Sequence, residues 1–328
     1  MSLKKVLLRE VFMKTKNKLL TLLILSAGAT SAIAAINRLV QMTATSKNLL
    51  TDSQSLCYKW RFGNIHYTKS GSGKPLLLIH DLNAASSGYE WHQLVPKLQE
   101  SYTVYTIDLL GCGRSEKCAI TYTNYLYVQL ISDFIKSEIG HRTSVIATGE
   151  AASIPVMACA NNSDLFDQLM LISPHSLLEY SQIPGKSSKL YKLIVEFPII
   201  GTLLYHIATS KKAIREELAA DCFSNPYSVK ANYIDACYES ANLGSSPKSV
   251  YASVISNFTK CNINSALKKI DNSIYLVGGA SSEHMAEILE EYKQHNPAIE
   301  TYLIPNAKKL PQLETPAELY ELIHTYLG

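Results

Sequence analysis

At 328 residues, with 47% hydrophobic and 18% charged side chains, the chain has the composition of a globular protein with a sizeable core, which excludes a disordered polypeptide. The formal net charge is only +3, and outside one N-terminal cluster the lysines and arginines are dispersed, so there is no basic footprint for nucleic acid. Cys57, Cys112, Cys118, Cys159, Cys222, Cys237 and Cys261 form an odd set without C-x-x-C spacing. They read as small buried hydrophobes rather than a zinc or redox motif, and no metal or cofactor is expected.

In chain order, Lys4, Lys5, Arg9, Lys14, Lys16 and Lys18 precede an uncharged run from Leu19 to Ile36, closed by Asn37 and Arg38. As a helix rising ~1.5 Å per residue, the stretch between Lys18 and Arg38 matches a hydrocarbon core of ~30 Å. A single-span membrane anchor is the expected reading. Ala32-Ile33-Ala34 also fits a signal-peptide cleavage site, although the long basic stretch ahead of the apolar run argues against cleavage, and a buried helix is the third alternative. The basic excess predicts a cytoplasmic N-terminus with the following domain on the far side. Unpaired thiols favour a reducing compartment instead. Charge asymmetry acts directly on topology, so the extracytoplasmic side is the expectation.

After a connector, residues 37–56, Tyr58–Arg61 and Asn64–Tyr67 read as strands joined at Phe62-Gly63. Leu76–Ile79 has the continuous apolar character of a buried strand, followed by an amphipathic stretch from Tyr89 to Leu98. Val104–Leu109, Ser144–Ala147 and Gln168–Ile172 are further strands, separated by helices over Tyr122–Ile139 and Ala151–Ala160. Residues 175–246 are helical or irregular. Alternation then resumes with strands Ser273–Val277 and Glu300–Ile304 and helices Glu283–His295 and Pro316–Leu327, the last opened by proline. Strands alternating with helices demand a mostly parallel α/β sheet covered on both faces. The expected organisation is therefore a basic segment 1–18, an anchor 19–36, a core in two parts (57–174 and 247–328) and a helical cap inserted at 175–246, over the carboxyl edge of the sheet where ligands bind in open α/β folds.

Leu76–Asp81 (LLLIHD) with Tyr89-Glu90-Trp91, then Asp108-x-x-Gly111-x-Gly113-Arg114-Ser115, and finally Asn306–Pro316 (NAKKLPQLETP) resemble the α/β-hydrolase superfamily. The resemblance covers about Tyr58 to Leu327. It implies an oxyanion hole near His80, Asp81 and Leu82 together with Ala151, with Asp81 replacing the family's usual glycine. It also implies a Ser-Asp-His triad at the tips of three loops, and here the residues are wrong for that chemistry. Aligned on the strand, Glu150 of Thr148-Gly149-Glu150-Ala151-Ala152 takes the nucleophile position, Ser281 the acid position and Lys309 the base position. Loss of serine-hydrolase activity is the expectation, because a glutamate carboxylate would give an anhydride instead of an ester and a protonated lysine is a poor base. Glu150 is expected to place its carboxylate in the old oxyanion hole and to pair with Lys309.

Two functions remain. One is a membrane-anchored, non-catalytic protein that binds a small apolar ligand or a protein partner through its cap cleft, with the apolar stretch Leu193–Ile207 as a wall or simply as the packing face of cap helices. The other is an active hydrolase of an ester, epoxide or similar small apolar substrate with non-standard residues. Some relatives form an ester intermediate on an elbow carboxylate, and Glu150 would be its longer version. That route needs a histidine for its second half, with His175 and His284 as the nearby candidates. Ser153 lies one turn too far into its helix.

Overall fold

A computed structural model describes residues 28, 31–51 and 55–328. The chain divides into two compact units, Met1–Ser46 and Lys47–Gly328. In the first, residues 31–44 are helical. The predicted anchor, Leu19–Ile36, lies largely outside the described residues, and among those described no single helix is long and apolar enough to cross a membrane.

In the second unit, β1 (Ser55–Trp60) and β2 (Gly63–Ser70) form an antiparallel hairpin. Strands β3 (Lys74–Ile79), β4 (Tyr102–Ile107), β5 (Thr143–Thr148), β6 (Phe166–Ile172), β7 (Ile274–Gly279) and β8 (Glu300–Ile304) then complete one eight-stranded sheet in the order β1-β2-β4-β3-β5-β6-β7-β8. From β4 to β8 all neighbours are parallel, while β2 meets β4 antiparallel.

The period-2 geometry of a strand explains why these segments read as uninterrupted apolar runs. Leu77 and Ile79 of β3, with Val145 and Ala147 of β5, enter the core covered by helices α1 (Asn124–Phe134) and α2 (Ser153–Asn161). Their neighbours Leu76, Leu78 and Ile146 face the opposite core, against Trp91, Leu98 and the final helix, residues 316–327. Both faces are buried over the central strands, so Leu76–Ile79 and Val145–Ala147 are apolar at every position.

Element types follow the sequence expectations with local differences. The stretch 89–98 is two short pieces, Gly88–Trp91 and Val95–Leu98, because Pro96, in the first turn of the second piece, has no N–H to bond back to the preceding turn. The helix expected from Ala151 begins at Ser153, after a tight turn over Gly149–Ala152. The sheet is interrupted between β6 and β7. That insertion carries α3 (Lys186–Glu196), α4 (Ile200–Ala208), α5 (Lys211–Glu217), α6 (Ala231–Asn242) and α7 (Lys248–Ile255). It docks on the core through a third cluster in which Ile214, Leu218, Phe223, Tyr233 and Ile234 meet Leu310 and Leu313.

The segment Asp108–Ser115 is a structural knot. Asp108 accepts hydrogen bonds from Gly88 N–H (2.6 Å) and Arg114 N–H (2.8 Å) and lies 3.3 Å from His66 Nδ1. Burial would raise its pKa, but the hydrogen bonds from His66 and from Arg114 N–H hold it down at about 2. Ser115 Oγ donates to the Asp108 carbonyl and accepts His66 N–H, which binds the loop after β4 to β2. Gly113 has φ +49°, and a Cβ there would stand 2.3 Å from the Asp108 carboxyl carbon. The carboxylate is pinned by backbone donors and cannot give way. Gly113→Ala is therefore expected to destabilise the protein by roughly 2–4 kcal/mol in urea unfolding, and a loss under about 0.5 kcal/mol would contradict this account.

Candidate functional site

β3 and β5 are neighbours in the sheet although β4 separates them in the chain. Strand order reverses there, so the loops leaving their carboxyl ends diverge and open a crevice. Asp81 and Glu150 stand on the two sides of it.

His80, fully buried, shapes the first loop. Leu109 N–H donates to its Nε2 (3.0 Å), which puts the proton on Nδ1, and that atom donates to the Asp81 carbonyl (2.6 Å). Burial lowers its pKa, so the ring is neutral. Both nitrogens are committed to backbone and none is left for proton transfer.

Asp81 Oδ1 accepts hydrogen bonds from Leu82 N–H and from Glu150 N–H, each at 2.8 Å. Among the described residues, Asp81 Oδ2 has only a 3.4 Å contact with Asn83 Nδ2. The strained backbone on the turn belongs to Gly149, at φ +53°, while Glu150 is not among the positive-φ residues. A Cβ on Gly149 would lie 2.4 Å from Asp81 Oδ1, so the carboxylate fills the space that a side chain at that position would use. The structure thus corrects one expectation: the anion beside these amides is Asp81, and Glu150 contributes its N–H to the arrangement. Asp81 is one residue from the Leu82 amide, close enough for its short side chain to fold back, whereas the Glu150 carboxylate points away to stronger partners.

Those partners form a buried ion cluster. Glu150 Oε2 accepts from Lys260 Nζ (2.7 Å), Oε1 accepts from Thr259 Oγ1 (3.0 Å), and His175 Nδ1 stands 3.2 Å from Oε2. Glu179 Oε1 completes the set, 2.8 Å from Lys260 Nζ and 3.0 Å from His175 Nδ1. The side chains of Lys260 and Glu150 are 8% and 5% exposed, so each charge depends on the others. Burial disfavours the charged imidazole, but hydrogen bonds to Glu150 and Glu179 raise His175 to about 9. The His175 hydrogen bond in turn holds Glu179 down at about 2. For Glu150, burial raises the pKa and the His175 and Lys260 contacts outweigh it, for a net lowering. His175 is a cation at neutral pH and not the free base that hydrolysis of an ester intermediate requires. Glu150, His175 and Glu179 have ligand atoms within 4.8 Å of one another, a geometry that would suit a metal, but the Lys260 ammonium already sits among them.

The remaining expected site residues lie elsewhere. Lys309 is exposed. Its N–H donates to the Cys222 carbonyl of the cap, and its ammonium makes no ion pair within 4 Å among the described residues. The expected Glu150–Lys309 bridge is replaced by Glu150–Lys260, because Lys260 comes from the segment after α7 that closes over the elbow. Ser281 is exposed and donates its N–H to the Ala307 carbonyl, and His284, also exposed, pairs with Glu287. Ala151 is fully buried, and Ser153 Oγ donates to the Glu150 carbonyl.

Glu90, quoted within the sequence motif but given no role there, links the three loops. Its Oε2 accepts Asp81 N–H (3.1 Å), and its Oε1 accepts Thr148 Oγ1 and Gln312 Nε2, both at 2.6 Å. Burial and the Asp81 charge raise its pKa, the three donors oppose them, and the net value is about 7.

An eight-stranded mixed sheet with this loop arrangement and a helical insertion after β6 is an α/β-hydrolase fold. Residues 76–322 match the alpha/beta hydrolase family, and the chain belongs to it. Over 160 residues it is 29% identical to a soluble epoxide hydrolase of Corynebacterium sp. (strain C12), covering 48% of this chain and 50% of that one. Over 136 residues it is 27% identical to the 2-hydroxy-6-oxo-6-(2'-aminophenyl)hexa-2,4-dienoic acid hydrolase of Metapseudomonas resinovorans, covering 39% and 47%. The chain thus spans about half the length of the curated relatives it matches. The crystal structure of a serine hydrolase involved in carbazole degradation superposes with a TM-score of 0.69 at 17% identity, over 83% of this chain and 98% of that one, a likeness of fold.

The shifted Glu90 makes stability depend on pH. An unfolded glutamate ionises near 4.5 and the folded one near 7, so between these values the native state holds a proton that the unfolded state has lost. Its contribution therefore falls as pH rises through that window. The stability of the wild type relative to Glu90→Gln, from urea unfolding at stepped pH, should decline by about 3 kcal/mol between pH ~4.5 and ~7 and then level off. Parallel profiles would contradict the assignment.

Proposed function

We propose that this chain is a member of the alpha/beta hydrolase family without serine-hydrolase chemistry, acting as a binding protein for a small apolar ligand in the region between the sheet edge and the cap. One observation carries the reading: Asp81 Oδ1 lies between Leu82 N–H and Glu150 N–H, 2.8 Å from each. Acyl transfer places a developing oxyanion between an amide of the β3 loop and the amide following the nucleophile. Leu82 and Glu150 supply that pair here, so Gly149 takes the nucleophile's place, one position earlier than alignment on the strand suggests. Glycine offers no nucleophile. The resident carboxylate also occupies both donors and repels a second negative charge, and the lysine in the histidine's place has no imidazole to receive a proton.

The choice of ligand rests on a cavity of about 260 Å³ between Phe223 and Tyr233 of the cap and Tyr89 and Leu313 of the core, where these rings and the leucine alternate with the polar groups of His92, Gln93, Ser228, Lys230 and Asn232. The same reading retains residues 19–36 as a membrane anchor with an extracytoplasmic domain, on the charge asymmetry of the sequence alone.

A second reading has one specific observation in its favour. Asp81 Oδ2 is almost unpartnered while Oδ1 is held, which is how a carboxylate nucleophile would be presented, and one relative is an epoxide hydrolase. In that case Oδ2 attacks an epoxide carbon, the ring C–O bond breaks, the alkoxide takes a proton from water, and water later cleaves the ester on Asp81.

The full chain treated with a fluorophosphonate probe and an ester panel should show no labelled serine and no turnover. A labelled serine would overturn both readings. Incubation with styrene oxide and mass analysis of the Asp81 peptide separates the two: no adduct and no diol is the expected result, and an ester adduct at Asp81 would make the protein an enzyme.

A further inference from the structure

We infer that the α3–α4 hairpin of the cap is an interfacial membrane-docking element that lies in the surface of a bilayer carrying anionic lipid. Of the 21 large hydrophobic side chains exposed among the described residues, 11 fall between residues 183 and 207. Ile183, Leu190, Leu193, Phe197, Ile200 and Leu203 are each more than half exposed. The sequence reading of Leu193–Ile207 as the packing face of cap helices therefore holds only for its inner residues Val195, Gly201 and Tyr205. An apolar cluster of this density exceeds the scattered exposure normal for a protein surface.

The hairpin is held in place from beneath. The Tyr205 hydroxyl donates to the Ala241 carbonyl, and Lys248 Nζ donates to the carbonyls of Glu196 (3.1 Å) and Phe197 (3.2 Å) and to Thr202 Oγ1 (3.1 Å). These bonds satisfy the backbone at the break between α3 and α4 and fix the outward direction of the apolar face. The face is thus a built surface.

Geometry decides between spanning and lying flat. α3 has 11 residues, α4 has nine, and they meet at 96° across Phe197–Ile199. At ~1.5 Å per residue each arm is roughly 14–17 Å long, about half of a hydrocarbon core of ~30 Å. Neither arm can cross, but both can lie at the headgroup boundary.

Charge selects the lipid. Lys186 and Lys189 stand at one end of the hairpin, and Lys211, Lys212 and Arg215 follow the other. Between residues 186 and 217 six basic side chains stand against three acids, and although Lys192, Lys211 and Lys212 pair with Glu196, Asp235 and Glu216, the exposed Lys186, Lys189 and Arg215 make no ion pair within 4 Å among the described residues. Long basic side chains flanking an apolar face place their heads among phosphates while their stems stay in the apolar layer. A protein partner would be expected to find hydrogen-bonding groups within the patch, and the exposed outer face offers almost only aliphatic and aromatic carbon.

Trp60 and Trp91, the only tryptophans in the chain, are both buried, so a new surface tryptophan reports its own surroundings. Full-chain Leu203→Trp in vesicles of phosphatidylcholine with phosphatidylglycerol should emit at shorter wavelength than in detergent-free dilute buffer. It should be quenched most by nitroxide lipids labelled about 5–10 Å below the headgroups. High salt or omission of phosphatidylglycerol should weaken both effects. Tyr227→Trp, on the cap at a fully exposed site outside the hairpin, should show neither effect even if residues 19–36 tether the chain. Absence of quenching at Leu203→Trp overturns the proposal. So does a wavelength shift that follows protein concentration without lipid, which would assign the face to a second copy of the chain.

Discussion

Across the crevice between β3 and β5, the backbone N–H groups of Leu82 and Glu150 converge on one oxygen of Asp81. Both loops leave adjacent strands, and each would otherwise present an unsatisfied donor. A carboxylate is the strongest acceptor the chain can offer there, and it sits one residue from the first donor, so ordering it costs little entropy. Gly149 is required by the same contact, since any side chain would meet the carboxylate. The turn position facing these two amides is thereby restricted to glycine.

The surrounding charges follow from that anion. Glu90 hydrogen-bonds the Asp81 N–H, and the Asp81 charge helps push its pKa to about 7. The Glu150 side chain turns to the opposite side of the turn, where Lys260, His175 and Glu179 complete a cluster of two anions and two cations. Removing Lys260 or Glu150, the two most buried members, would strand a buried charge at a cost of about 3–5 kcal/mol. A working acid–base site keeps a group free to exchange protons. Here the histidines nearest the elbow are spoken for, His80 by backbone and His175 by carboxylates.

Most of the fold was legible in the sequence because buried parallel strands must be apolar on both faces, as the split of Leu76 and Leu78 from Leu77 and Ile79 between two cores illustrates. The Asp108–Ser115 motif was readable because its glycines and aspartate form a local knot. The partner of Glu150 was not, since Lys260 lies 110 residues away in a segment without a motif. The only available signal was general: a buried carboxylate demands a cation. The turn itself was displaced by one residue, because period and strand alignment do not reveal which residue carries positive φ, although a glycine beside the strand end was the hint. Lys309 was placed in its loop by sequence, but its direction depends on the cap, whose Cys222 carbonyl holds its backbone.

An insertion that closes the carboxyl edge of the sheet and turns an apolar hairpin outward gives the domain two unlike surfaces, one fixed by buried charge and one by exposed hydrocarbon. The account depends first on the charged one. Amide hydrogen exchange at Leu82 and Glu150, compared between the wild type and Asp81→Ala at one neutral pH and referred to global stability, tests it most directly. Both amides should be protected in the wild type and lose that protection together in the variant. Wild-type amides that exchange freely, or protection that ignores the substitution, would show that the Asp81 carboxylate does not bridge them.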